Sequence, residues 1–87
     1  MELYVVIEQN EGTMRGETIG VFISKEKAIN KIISLNKQCF DQLDESVQKE
    51  RGGWNEYEKI TRDELEKENC AYGIYFTEYE IKKHQLD

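Results

Sequence analysis

The side chains in this sequence able to do chemistry are few. His84 is the only histidine, and it sits close to the end of the 87 residues. A Cys-His pair or a Ser-His-Asp triad would have to use it. A mobile terminus is a poor place for a preorganised base, so no catalytic residue is assigned. Cys39, Cys70 and His84 show neither CxxC nor HxxxH spacing, which argues against zinc. Asp41, Asp44 and Glu45 are near enough in sequence to touch a divalent cation, but three acids on one helical turn more commonly form a solvated face. Neither GxxxxGK[ST] nor GxGxxG occurs, so no phosphate-cradling loop is read. No cofactor and no metal is expected.

Charge is the more informative feature. Residues 1–40 carry five acids and five bases, whereas residues 41–87 carry thirteen acids and seven bases. The whole formal charge of −6 therefore lies in the second half. A negative half argues against nucleic acid as a direct ligand, because phosphates require a cationic face. It suits a basic protein partner. Solubility alone also favours acidic surfaces. The candidate partner-binding residues are Asp41, Asp44, Glu45, Glu56, Glu58, Asp63, Glu64 and Glu66, together with Trp54 and Tyr57. The two aromatics read either as core or as an exposed anchor. Core is preferred, since a chain this short buries only about 60% of its unfolded surface and needs large residues inside.

These residues must be positioned by a single domain spanning 1–87. The apolar fraction of 38% suffices to fold it. No apolar run approaches the ~20 residues that span a bilayer, and the opening Met-Glu-Leu-Tyr-Val-Val-Ile-Glu reads as a strand instead of a signal peptide. Two cysteines are too few for a disulfide scaffold, so an intracellular, cytoplasmic setting with free thiols is expected, with a Cys39–Cys70 bridge the alternative.

Residues 3–9 and 18–23 read as strands joined by a polar, glycine-containing loop over 10–17, hence an antiparallel pair. Gly20 fits a bulge or a close approach. Ser24 fits an N-cap with Glu26 in the first turn. Apolar residues at 28, 29, 32, 33, 35, 39, 40, 43 and 47 then paint one helical stripe. Continued to Glu50, that helix would be about 39 Å long, against a radius of gyration of about 12 Å for a domain of this size. It must break near 36–44 or overhang, and Gly52-Gly53 ends it. Thr61 and Glu64 match a capping box, with Ile60 and Leu65 as its staple, and predict a short helix over 62–68. Residues 71–82 predict one third strand.

The order β-β-α-α-β gives an α+β fold: a three-stranded antiparallel sheet with helices on one face. Alternation places Leu3, Val5 and Ile7 on one side and Tyr4 and Val6 on the other. In the third strand it separates Tyr72, Ile74 and Phe76 from Ala71, Tyr75, Tyr79 and Ile81. The second face is either covered by overhanging chain or left for a partner, and Tyr4, Tyr75 and Tyr79 would then form its apolar patch.

The stretches Leu3-Tyr4-Val5-Val6-Ile7-Glu8, Ile19-Gly20-Val21-Phe22-Ile23-Ser24-Lys25-Glu26-Lys27-Ala28 and Tyr75-Phe76-Thr77-Glu78-Tyr79-Glu80-Ile81 resemble a widespread group of small proteins of phages and mobile elements of Gram-positive bacteria. The likeness covers about a third of the chain and brings no site residues. In size and acidity the chain also resembles small anti-CRISPR inhibitors, several of which imitate DNA with arrayed carboxylates. That resemblance implies a protein that binds and blocks a basic nucleic-acid-binding protein, such as a CRISPR nuclease. A homodimeric interaction module is the alternative, and an enzyme is the least favoured class.

Overall fold

The computed structural model describes residues 1–10, 15–75 and 77–86. The elements are β1 (Glu2–Asn10), β2 (Arg15–Phe22), α1 (Lys25–Asp41), α2 (Glu45–Glu50), α3 (Gly53–Glu68), β3 (Cys70–Tyr72) and β4 (Thr77–Gln85). They form an α+β fold with one antiparallel sheet in the order β2-β1-β4-β3. The first pair is antiparallel as its short connection predicts. Its strands reach further than the sequence suggests, taking in Gly16 and Glu17; residues 11–14 of the expected loop lie outside the described residues. Register shifts between Val6 and Ile7, which pair with Gly20 and Thr18, so Ile19 is the extra residue of a bulge. Gly20 is also a close-approach site: a Cβ there would meet the Phe22 ring at 2.6 Å.

Ser24 caps α1, its hydroxyl accepting from the Lys27 amide at 3.2 Å. Ala28, Ile29, Ile32, Ile33, Asn36 and Phe40 bury one face of that helix at i, i+3/i+4 spacing. The long helix breaks after Asp41. Gln48 of α2 fastens the corner, its Nε2 donating to the carbonyls of Phe40 (3.0 Å) and Leu43 (2.9 Å). Gly52 and Gly53 then turn the chain at φ +84° and +83°, a left-handed conformation that disfavours side chains.

Two sequence expectations fail here. Helix α3 starts at Gly53, so Thr61 lies mid-helix, 4% exposed, and opens nothing. The Thr-Arg-Asp-Glu match is overridden by a longer stripe of Trp54, Tyr57, Thr61 and Leu65, which packs the helix against the core. Ile60 and Leu65 form no staple, since Ile60 is exposed and Leu65 is fully buried.

The expected third strand is two strands, giving a four-stranded sheet and the order β-β-α-α-α-β-β. The chain folds back after Tyr72, with the Gly73 amide donating to the Thr77 carbonyl at 2.6 Å and Tyr75 at φ +62°. Only glycine fits at 73, because a Cβ would meet the Tyr79 ring at 2.7 Å and Asn36 Oδ1 at 3.0 Å.

The core joins Val6, Tyr79, Ile81 and Ala71 of the sheet to Ile29, Ile32, Ile33 and Leu65 of the helices. Tyr4 packs against this cluster and Tyr79 is 4% exposed, so the expected outward patch of Tyr4, Tyr75 and Tyr79 does not form. Ile74 is buried while Tyr72 and Tyr75 are exposed, and Phe76 lies outside the described residues. The helices cover one face of the sheet. If α3 begins at Gly53, Leu65→Ala should lower unfolding free energy by about 2–5 kcal/mol and Ile60→Ala by less than about 1 kcal/mol. Equal losses in denaturant titration would instead restore the staple.

Candidate partner-binding surface

The acidic residues singled out by sequence are distributed over two regions and are not equivalent. Asp41, at the end of α1, is held by Lys37 Nζ at 2.8 Å. Asp44 occupies the N-cap position of α2 without a side-chain capping bond, and Glu45 lies in its first turn. Glu56 lies in the first turn of α3 and is exposed. Glu58 pairs with Arg62 at 3.1 Å, and Arg62 also donates to Asn30 Oδ1 at 2.9 Å, tying α3 to α1. Glu66 lies 4.0 Å from Lys25 Nζ, which donates to the Glu66 carbonyl at 2.9 Å. Asp63 and Glu64 are exposed on α3. Asp41, Glu58 and Glu66 therefore act largely within the molecule, as helix-surface and interhelix ties, each worth little individually.

Trp54 and Tyr57 are not a free anchor. Trp54 meets Phe40 edge-on and Tyr57 meets it at a tilt, at centroid separations of 5.4 and 5.7 Å, and the two contact each other at 5.8 Å. Lys37 Nζ sits 5.1 Å from the Trp54 ring centroid. Burial raises the Tyr57 hydroxyl above its ordinary pKa, with Arg51 pulling the other way. This trio closes the α1–α3 seam.

Further carboxylates gather at the edge of the sheet. Glu64 and Glu68 of α3, Cys70 and Tyr72 of β3 and Glu78 of β4 line a cleft of about 260 Å³ at the β3 edge. The register brings Glu78 opposite Tyr72 and Glu80 opposite Cys70. Among the described residues, Glu64, Glu68 and Glu78 make no ion pair. Tyr72 stands at the rim, 68% exposed. The Cys70 thiol reports the local field: its pKa is raised by desolvation and then by Glu78, Glu68, Glu80 and Glu64. Such a cleft suits a lysine or arginine side chain, with carboxylates to take the charge and a ring to lie against a guanidinium.

Cys70, Tyr72 and Glu78 are not among the partner-binding residues that sequence reasoning picks out, and Glu68 enters it only as one of the acids of the second half. Glu68 belongs to the acidic run, so its signal was present. Glu78 joins the cleft only through the β3–β4 hairpin, which reading 71–82 as one strand conceals. Both cysteines are free. His84 pairs with Leu3 in the sheet and is exposed. Among the described residues no group of three His, Cys, Asp or Glu side chains could hold a metal ion, and no helix is long and apolar enough to cross a membrane.

In comparisons with known proteins, no family model, no curated protein and no solved structure matches this chain. The cleft chemistry has a direct readout. Alkylation of Cys70 should need a higher pH than an ordinary thiol, and Glu78→Gln should shift that profile toward lower pH, since it removes a charge that disfavours the thiolate. An unchanged profile would separate Glu78 from the cleft.

Proposed function

We propose that this chain is a small acidic inhibitor that binds a basic nucleic-acid-binding protein of a bacterial host, in the manner of an anti-CRISPR. The observation that carries this reading is the group of carboxylates Glu64, Glu68 and Glu78, without an ion pair among the described residues, around one cleft beside exposed Tyr72. Carboxylates fixed on a helix and a sheet edge offer a cationic groove what phosphates offer it, and their field speeds the encounter. The proposed site is smaller than the acidic second half of the chain. The acids near Asp41, Asp44 and Glu45 set the surrounding potential, while the cleft makes the contact. The resemblance to phage and mobile-element proteins fits the same reading, under which the chain would meet its partner in the host cytoplasm.

Inhibition can be measured directly. A guide-RNA-loaded CRISPR nuclease is titrated with the chain, and binding and cleavage of its target duplex are followed. The expected result is competitive loss of duplex binding that weakens as salt rises. Combined reversal of Glu64, Glu68 and Glu78 to Lys should weaken inhibition on the order of a hundredfold, whereas reversal of Asp41, Asp44 and Glu45 should change it far less. No competition with the duplex defeats the inhibitor reading. Inhibition that survives the cleft reversal defeats the assignment of the site.

A further inference from the structure

The sheet face opposite the helices has a pattern that the acidic cleft does not explain. Val6 is fully buried on the helix side with its neighbour Ile81. Strand alternation therefore turns Val5, Ile7, Glu78, Glu80, Lys82 and His84 to the other side. Cross-strand pairing sets Val5 beside Lys82 and Ile7 beside Glu80, with Leu3 beside His84 and Gln9 beside Glu78. Val21, the other neighbour of Val5, is 54% exposed on the same side. The face is thus apolar along β1 and charged along β4, where Lys82 lies toward one end and Glu80 and Glu78 toward the other, Lys82 and Glu80 standing 3.8 Å apart within the chain.

That arrangement is self-complementary. We propose that this face is the interface of a two-fold homodimer in which a second copy stacks sheet on sheet. The axis lies between the sheets, across the strands, and passes between the Val5–Lys82 and Ile7–Glu80 rows. Rotation about it lays each β4 antiparallel over the other. Lys82 then faces Glu80 of the second copy, His84 faces its Glu78, and Val5 faces its Ile7, each contact occurring twice as a two-fold interface requires. Pairs beside the axis are the least displaced by the roughly 30° crossing of aligned sheets. A uniformly basic partner would meet Lys82 and a uniformly acidic one Glu80, whereas a second copy presents both signs in register.

The size is adequate for a modest association. β1 and β4 pair over nine residues. At ~3.3 Å per residue and ~4.8 Å of width per strand, the three long strands β2, β1 and β4 cover roughly 30 by 15 Å. Two such faces give about 900 Å² in plan, in the range of weak associations. The dimer therefore forms at high protein concentration and dissociates on dilution.

Sedimentation equilibrium of Lys82→Glu, Glu80→Lys and their equimolar mixture tests the idea. The parent should show a concentration-dependent dimer. Each single reversal sets like charges against each other twice and should raise the dissociation constant by roughly tenfold or more. In the mixture the two variants are complementary at both positions, so heterodimers should reform. Because the mixture contains the same two chains, its recovery also shows that both remain folded. A parent that stays monomeric at the highest attainable concentration overturns the proposal. So do single variants that dimerise like the parent, and a mixture that stays monomeric after both variants have dissociated.

Discussion

The structure depends on the packing of one apolar helix stripe against one face of the sheet. Ile29, Ile32 and Ile33 of α1 meet Val6, Tyr79 and Ile81 of the two central strands. Each such side chain contributes about 1.5–3 kcal/mol when fully buried, and a domain this small has few others to spend on its core. The stripe must therefore lie along the sheet, which is why the chain turns at the end of α1 instead of extending. Phe40, at the last buried position, receives Trp54 and Tyr57, and α3 is thereby drawn across α1.

Single-sided packing decides what the outside looks like. A sheet with helices on one face keeps a second face whose apolar positions along β1 have no helix above them. The chain beyond α3 must also re-enter the sheet, and it does so at the edge through β3. That re-entry sets the acidic end of α3 beside the β3–β4 hairpin and concentrates carboxylates that are far apart in sequence. Glu66, Asp41 and Glu58 pair with Lys25, Lys37 and Arg62; among the described residues Glu64, Glu68 and Glu78 at the β3 edge make no ion pair, and neither do Asp44, Glu45, Glu56 and Asp63. What sets the β3 edge apart is that its carboxylates share one cleft.

Much of this fold is written locally. The first two strands, the Ser24 cap, the α1 stripe and the glycine pair at 52 and 53 all follow from spacing and backbone preference. Two places are not local. Thr61 carries a capping signature, yet Trp54 and Tyr57 begin a longer helix because their rings find Phe40, a partner on another element. Residues 70–85 alternate in a way that fits one strand or two. The deciding contact is the close approach of Gly73 to Tyr79 and Asn36, which depends on where α1 lies. Asn36 itself is 1% exposed within the apolar stripe, a burial that residue type does not suggest. The acidic half was legible as composition. The cleft was not, because it requires the hairpin.

The central claim is that the helices cover one sheet face and leave the other open. It is tested most directly by the attenuation of side-chain methyl signals by a soluble paramagnetic chelate, measured in the dissociated Lys82→Glu protein. The account predicts strong attenuation at Val5, Ile7 and Val21 and protection at Val6, Ile81 and Ile32. Equal protection of Val5, Ile7 and Val6 would contradict it, because the second face would then be covered within a single chain.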